Sequence, residues 1–269
     1  MEVLQALVLG IVQGIAEFLP ISSSGHLVLV PAVFGWEEFA GNVAFDVLLH
    51  AASLTAVVFY FRADLWNMVR AVFSRDPGRA ADRRLAWLLI AGTFVTGVVG
   101  LLFDDFFESL FHAPLWTGVF LLVTAAILAS AQRLSRARIS SPEAMSWSQA
   151  VLVGLAQGAA IAPGISRSGA TISAGLAVGL THEQSARFSF LLSTPIILLA
   201  AVKTLAEAAV GGSTLPGASS CVVGFVASAV ASYLAISWLI GYLKNRSLYP
   251  FAVYTAVVGT IVIIWQVVL

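Results

Sequence analysis

Charge is scarce in this chain. Only 10% of the 269 residues are Asp, Glu, Lys or Arg, against 59% that are hydrophobic, and the mean hydropathy is +0.94. A soluble domain carries about a quarter charged residues, so the polar surface needed to cover a water-facing body is missing. The 14 basic and 14 acidic residues cancel, which removes the basic footprint that nucleic-acid binding requires. Cysteine is nearly absent: Cys221 stands alone, excludes an internal disulfide, and reads as a small packing residue in an apolar run. The sequence holds no Cys/His cluster with zinc spacing and no GxxxxGK[ST] loop. Met1-Glu2-Val3 lacks the basic n-region of a cleaved signal peptide, so the first apolar stretch is expected to stay in the mature protein.

What the chain has instead is long apolar runs, near 43–61, 85–103, 114–132, 187–203, 218–241 and 250–268. Each approaches the roughly 20 residues that a helix needs to cross a bilayer. Two more regions, 3–35 and 149–180, are apolar but interrupted by polar, glycine-bearing cores, LPISSSGH and PGISRSGAT. Loop charge sets the orientation. Arg62, Arg70, Arg75, Arg79, Arg83 and Arg84 fill one loop, Arg133, Arg136 and Arg138 a second, and Lys244 and Arg246 a third. Asp104, Asp105 and Glu108 make the 104–112 loop acidic. The positive-inside rule places the basic loops in the cytoplasm and the acidic one outside. Six full spans satisfy this only if 3–35 and 149–180 each enter and leave on one side, the first from outside and the second from inside. Trp36, Trp66, Trp116 and Trp147 fall near the expected span ends, as interfacial aromatics do.

The two interrupted regions are copies of one another. At an offset of 144 residues, Gln13-Gly14 falls on Gln157-Gly158, Ile21-Ser22 on Ile165-Ser166 and Ser24-Gly25 on Ser168-Gly169; nine of 22 residues match without a gap over 6–27. The expected fold is an all-α polytopic membrane protein, one membrane domain over 1–269. It divides into an inverted repeat, about 1–140 and about 145–269, each half a re-entrant helix pair plus three transmembrane helices. Three spans after each pair, an odd number, invert the second half, and such folds bind ligand where broken helices of the two repeats meet. Ser23 and Arg167 are equivalent positions and are expected to face one pocket.

The loop from Gly164 to Thr171 has the parts of an anion cradle: Gly169 for close backbone approach, hydroxyls on Ser166, Ser168 and Thr171, and a helix expected to begin near Ser168. Arg167 adds a permanently charged planar fork suited to phosphate oxygens; the plainer alternative is an arginine snorkelling to the headgroups. The first loop supplies Glu17, Ser22, Ser23, Ser24, Gly25 and His26. A carboxylate inside an apolar segment is costly and marks a functional candidate. Glu17 can act as a base, orient a histidine or hold a cation, and His26 can move protons near neutral pH. A capping serine run and a core histidine are the bland alternatives. Asp46 and His50 open the span at 43–61 and could border the pocket, although packing is the favoured reading, and His112 and His182 read as solvated loop residues.

Q-G-I-A-E-F-L-P-I-S-S-S-G-H at 13–26, P-G-I-S-R-S-G-A-T-I-S at 163–173 and F-S-F-L-L-S-T-P at 188–195 resemble the undecaprenyl-pyrophosphate phosphatases linked to bacitracin resistance, and the resemblance runs over the whole chain. It implies an enzyme that converts a C55-type polyprenyl diphosphate to the monophosphate and inorganic phosphate, recycling the lipid carrier of cell-wall precursors. The family's motifs fall on Gln13 and Glu17, on Ser23 and His26, and on Ser166, Arg167 and Thr171. The resemblance also implies a plasma-membrane protein with a site open to the outer face, in agreement with the first pair entering from outside. Its implied cofactor is Mg²⁺ or Ca²⁺. Position 13 is glutamine where many members have glutamate, so Glu17 is expected to anchor that ion largely alone, assisted by Gln13. On this reading Arg167, the second-loop backbone and Thr171 stabilise phosphate charge, and Ser23 is nucleophile or close phosphate contact, with His26 as base and then acid; a phosphoserine, a phosphohistidine and direct water attack are all compatible with the sequence. Polyprenyl diphosphate and membrane lipids are the expected partners, nucleic acid is not, and a homo-oligomer is compatible with the reading. The rival class is a transporter or flippase of polyprenyl phosphate lipids, since inverted repeats are typical of secondary transporters.

Overall fold

A computed structural model describes residues 1–111, 114–211 and 215–268. His112 lies outside the described residues, as do the side chains of Asp104 and Glu108. Among the described residues the chain forms twelve α-helices: α1 (Glu2–Phe18), α2 (Ser23–Phe34), α3 (Val43–Tyr60), α4 (Arg62–Val72), α5 (Ala80–Leu102), α6 (Asp104–Phe111), α7 (Pro114–Leu134), α8 (Trp147–Ala159), α9 (Arg167–Ala177), α10 (His182–Gly211), α11 (Ala218–Leu243) and α12 (Tyr249–Val268). Six of them, α3, α5, α7, α10, α11 and α12, are long and apolar enough to cross a membrane. The protein is an all-α, multi-pass membrane protein. Hydrocarbon demands this secondary structure, because only a helix satisfies its own backbone groups in the absence of water.

The six spans fall where the apolar runs predict them, with α10 beginning earlier than the run at 187. The extra turn is polar, but Thr181 caps it: its Oγ1 accepts from the Gln184 N–H at 3.2 Å. His182, expected to be solvated, instead hydrogen-bonds Gln132 Oε1 through Nε2 at 2.9 Å. The interrupted regions form two pairs of shorter helices, α1–α2 and α8–α9, with the polar loops at the joints.

Packing rests on small residues. α1 lies against α11, α8 against α5, and α7 against α12. Gly10 faces Gly224, Gly14 faces Ser228, Gly154 faces Gly92, and Gly118 faces Gly259. Lipid supplies no hydrophobic force between helices, so close backbone approach is what holds such contacts together. The outward faces carry apolar residues at helical spacing, Leu7, Ile11 and Ile15 on α1 and Val222, Val226, Val230 and Leu234 on α11, all exposed.

Contacts also gather the three basic loops at one end. Arg84 donates to the Glu143 and Met145 carbonyls at 2.7 and 2.8 Å. Gln132 Oε1 accepts from Leu248 N–H at 2.8 Å, Lys244 pairs with Glu183, and Arg187 pairs with Asp64. This common end is what the positive-inside pattern requires.

A side chain at Gly154 would place its Cβ 2.5 Å from the Gly92 carbonyl, whereas one at Gly97 meets nothing within 4 Å. Gly154→Leu is expected to destabilise the protein by about 1–3 kcal/mol through overpacking, and Gly97→Ala to leave it unchanged. Thermal unfolding in detergent checks this; equal midpoints for the two variants would contradict the close α5–α8 contact.

Candidate active site

Both polar loops end by starting a helix. Ser22 takes a left-handed backbone conformation, φ 72°, and caps α2 by accepting from Gly25 N–H at 3.4 Å. Its counterpart Ser166 caps α9 by accepting from Gly169 N–H at 3.0 Å. Ser23 and Arg167 are therefore the first residues of α2 and α9, placed where each helix presents partner-free N–H groups and the positive end of its dipole. Gly164, with φ 94°, lets the second loop pass against the backbone of Thr117 on α7. Thr124 fixes that loop twice: it donates to the Gly164 carbonyl at 3.1 Å and accepts from Ser166 N–H at 3.0 Å.

The two loops meet on Glu17, near the end of α1. Arg167 Nη2 donates to Glu17 Oε1 in a buried ion pair, with side-chain exposures of 15% and 4%. Ser23 Oγ donates to Glu17 Oε2 at 2.6 Å and Gln13 Nε2 to the same oxygen at 3.0 Å. His50 Nε2 stands 3.5 Å from Oε2, its ring fixed by an Nδ1 contact of 2.7 Å to the Asp46 carbonyl. These groups border a cavity of about 310 Å³ whose lining includes Glu17, Ser23, Ser24, His50, Thr96, Gln157 and Arg167, with Ile161, Ile165, Ile196 and Ile197 as apolar wall. Arg167 Nη1 is buried without a partner, and so are Gln13 Oε1 and Gln157 Oε1. The arrangement offers a hydroxyl aimed at a carboxylate, a cation with a spare donor, and oxygen acceptors with spare capacity. The hydroxyl on the carboxylate and the cation suit an oxyanion whose phosphorus accepts a nucleophile, and the spare acceptors suit a donor such as water or a metal ion.

The structure brings together Glu17, Ser23, Ser24, Arg167 and Gln13. It turns other expected groups elsewhere. Thr171, expected to stabilise phosphate, points into the helix packing: its hydroxyl contacts the Arg167 and Ser168 carbonyls and Ser189 Oγ. Ser168 Oγ donates to the Leu19 carbonyl at 3.0 Å and so ties α9 to the end of α1. Ser22, Ser166, Gly25 and Gly169 serve the two caps.

His26, expected beside Ser23, faces away from Glu17. Its Nδ1 contacts the Ser22 carbonyl at 2.8 Å and its Nε2 the Tyr254 hydroxyl at 2.7 Å. It lines a separate groove of about 500 Å³ between α2 and α12, otherwise bordered by Leu29, Val30, Val33, Phe34, Val258 and Trp265 among others. The reason is the partners each finds: Ser23, at the start of α2, reaches back to Glu17, whereas the His26 ring is held between the Ser22 carbonyl and Tyr254 on α12. The histidine at the carboxylate is His50, whose place at the pocket's border is the less favoured of its two sequence readings. Thr96 and Gln157 are missed by the sequence reading, although Gln157 occupies the repeat position of Gln13 and that correspondence marks it.

A family model described as bacitracin resistance protein BacA matches residues 6–261. The chain is 43% identical over 283 residues to the undecaprenyl-diphosphatase of Methanosphaera stadtmanae, covering 100% of both chains. It is 43% identical over 266 residues to the undecaprenyl-diphosphatase of Rubrobacter xylanophilus, covering 97% of each. To undecaprenyl-diphosphatase 1 of Shouchella clausii it is 40% identical over 272 residues, covering 99% of this chain and 97% of the relative.

Removing one partner of a buried ion pair costs about 3–5 kcal/mol, because the other charge stays behind unpaired. Glu17→Gln is therefore expected to lower the unfolding midpoint in detergent more than the double variant Glu17→Gln/Arg167→Met. A single variant as stable as wild type would show that Arg167 escapes to water when its partner is lost.

Proposed function

Because the chain belongs to the bacitracin resistance protein BacA family, we propose that it hydrolyses undecaprenyl diphosphate to the monophosphate and inorganic phosphate, recycling the lipid carrier used in cell-envelope synthesis. The observation that carries this is the convergence of Ser23 and Arg167, from two separate loops, on one buried carboxylate. A flippase needs an anion site but no hydroxyl held on a base, so the Ser23–Glu17 contact favours the phosphatase.

The terminal phosphate sits in the cavity, its oxygens taken by Arg167 Nη1 and by the N-terminal ends of α2 and α9. Glu17 accepts the Ser23 proton as Oγ attacks the terminal phosphorus. The bond to the bridging oxygen breaks, and polyprenyl monophosphate departs with the electron pair and with the proton that Glu17 took from Ser23, which leaves Glu17 a carboxylate again. The polyprenyl tail lies along the apolar groove between α2 and α12, with His26 and Tyr254, hydrogen-bonded to each other, at the groove's polar end. Water then attacks the phosphoserine. His50 holds the Glu17 carboxylate from the α3 side.

A divalent cation fits these residues. Glu17 would supply a carboxylate oxygen, and Gln13 Oε1, a buried, partner-free oxygen of the kind Mg²⁺ or Ca²⁺ takes, would be a second ligand. When bound, the ion neutralises charge developing on the diphosphate.

We place the protein in the plasma membrane with its site open to the outer face, and read the chain as an inverted repeat with α1–α2 and α8–α9 as re-entrant pairs. The reciprocal packing supports this: α1 lies on α11, while its copy α8 lies on α5, the counterpart of α11.

Purified protein is expected to release phosphate from C15 and C55 polyprenyl diphosphates in the presence of Mg²⁺. Glu17→Ala and Arg167→Ala should each lower turnover by about a hundredfold or more, and His26→Ala should lower it as well. Retained lipid binding without turnover, whatever the cation, would make the transporter the better reading. Val258→Trp, which fills the α2–α12 groove, is expected to raise KM for the C55 substrate more than for one with a short tail. An equal change for both tail lengths would place the tail elsewhere.

A further inference from the structure

The hydrolysis consumes one water, and nothing in the sequence motifs says what holds it. Gln157, on α8, is 1% exposed and lines the same cavity as Glu17, Ser23 and Arg167. Its Nε2 donates to Thr96 Oγ1 at 3.1 Å. Thr96 Oγ1 in turn lies 3.0 Å from the Gly92 carbonyl and 2.9 Å from the Gly154 carbonyl, both of which can only accept. The threonine proton is therefore committed to a carbonyl, and the oxygen facing Gln157 can only receive a hydrogen bond. That fixes the amide: the nitrogen is at Thr96 and Oε1 is the free end. Oε1 has no partner and is sealed from lipid. A buried acceptor left unmatched is costly, and phosphate oxygens, acceptors themselves, cannot satisfy it. A water molecule can.

We infer that Gln157, oriented by Thr96, accepts a hydrogen bond from the hydrolytic water and aims it at the phosphorus held on Ser23. The inference rests on the phosphatase reading and its phosphoserine step. The water gives one hydrogen to the Gln157 hydrogen bond and its other proton to Glu17. The water oxygen bonds to phosphorus as the bond from phosphorus to Ser23 Oγ breaks. The electron pair returns to Oγ, Glu17 returns a proton to it, and inorganic phosphate leaves. A glutamine that orients water in this way accelerates phosphate hydrolysis on unrelated folds.

The test is rapid-quench analysis with terminally labelled polyprenyl diphosphate and Mg²⁺, using full-length wild type, Gln157→Met, Thr96→Val and the double variant. Gln157→Met is expected to lower kcat by about tenfold with KM unchanged, the loss of one oriented hydrogen bond. It should also accumulate label on Ser23 after a burst of polyprenyl monophosphate. Thr96→Val should act in the same direction more weakly and add nothing in the double variant. The Mg²⁺ concentration giving half activity should not move. Three results would overturn the inference while leaving the phosphatase standing. These are wild-type rates in Gln157→Met, a slowed variant in which label never builds up on Ser23, and a shifted Mg²⁺ dependence, which would assign Oε1 to the cation. A wild-type protein that releases no phosphate at all would instead remove the phosphatase reading, and this inference with it.

Discussion

The site depends on one ion pair, Glu17 with Arg167. Neither charge is tolerable alone at that depth of burial, since moving a single carboxylate or guanidinium out of water costs several kcal/mol even after the protein relaxes. Each therefore requires the other, although they lie 150 residues apart in sequence. That requirement couples the last turn of α1 to the first turn of α9 and forces the two polar loops into contact. Ser168 reinforces the coupling through the Leu19 carbonyl. The remaining hydrogen bonds to Glu17, from Ser23 and Gln13, follow from the same geometry. They keep a charged oxygen saturated on a side chain only 4% exposed. An arginine with one nitrogen on its partner and another unpartnered is a cation half satisfied, which is why the proposed reading puts the anionic substrate there.

The scaffold that permits this is set by small residues. Helices that hold a pair of charges within hydrogen-bond reach must themselves sit at fixed, close separations, and in lipid that closeness comes from glycine facing glycine or serine. Gly154 against Gly92 brings α8 to α5, and the same contact delivers Thr96 to the Gly154 carbonyl and to Gln157. Packing and chemistry share residues here. The α5–α8 contact positions the Gln157 amide in the act of closing the helix interface.

Much of this was legible in the sequence, and the boundary of what was legible has a physical cause. The six spans follow from hydropathy because hydrocarbon leaves the backbone no alternative. The loops are visible because polar residues inside apolar stretches are costly enough to need a reason. Equivalence under the 144-residue offset put Ser23 and Arg167 at matched helix starts, and the structure has both on Glu17. What the sequence does not encode at short range is rotation about a helix axis and the identity of the helix next door. His26 belongs to the right motif but its ring meets Tyr254, 228 residues away. Sequence alone leaves His50 between packing and the pocket's border, and the choice is made only because α3 runs beside α1 and aims it at Glu17. Thr171 sits in the right loop but one turn into α9, where its hydroxyl falls back on the helix's own carbonyls and on Ser189. Gln157 was within reach of sequence reasoning through Gln13, but its free oxygen appears only once Thr96 is seen to hold the nitrogen.

The two copies have diverged in complementary ways, and this is how a repeated scaffold makes an asymmetric site. The capping serines Ser22 and Ser166 and the glutamines Gln13 and Gln157 keep one type in both halves. Where the first copy has Glu17 the second has Ile161, and where the first has Ser23 the second has Arg167. A symmetric pair of glutamates would set two like charges against each other, and a symmetric pair of arginines would do the same. Either arrangement would leave no hydroxyl on a base. Splitting the roles gives one half the carboxylate and hydroxyl and the other half the cation. The shared glutamines then do different work: Gln13 donates to Glu17, and Gln157, with Ile161 in place of a carboxylate one turn on, donates to Thr96 instead. Loss of the acid in the second copy thus leaves its glutamine, a residue that lines the cavity, with an unsatisfied oxygen.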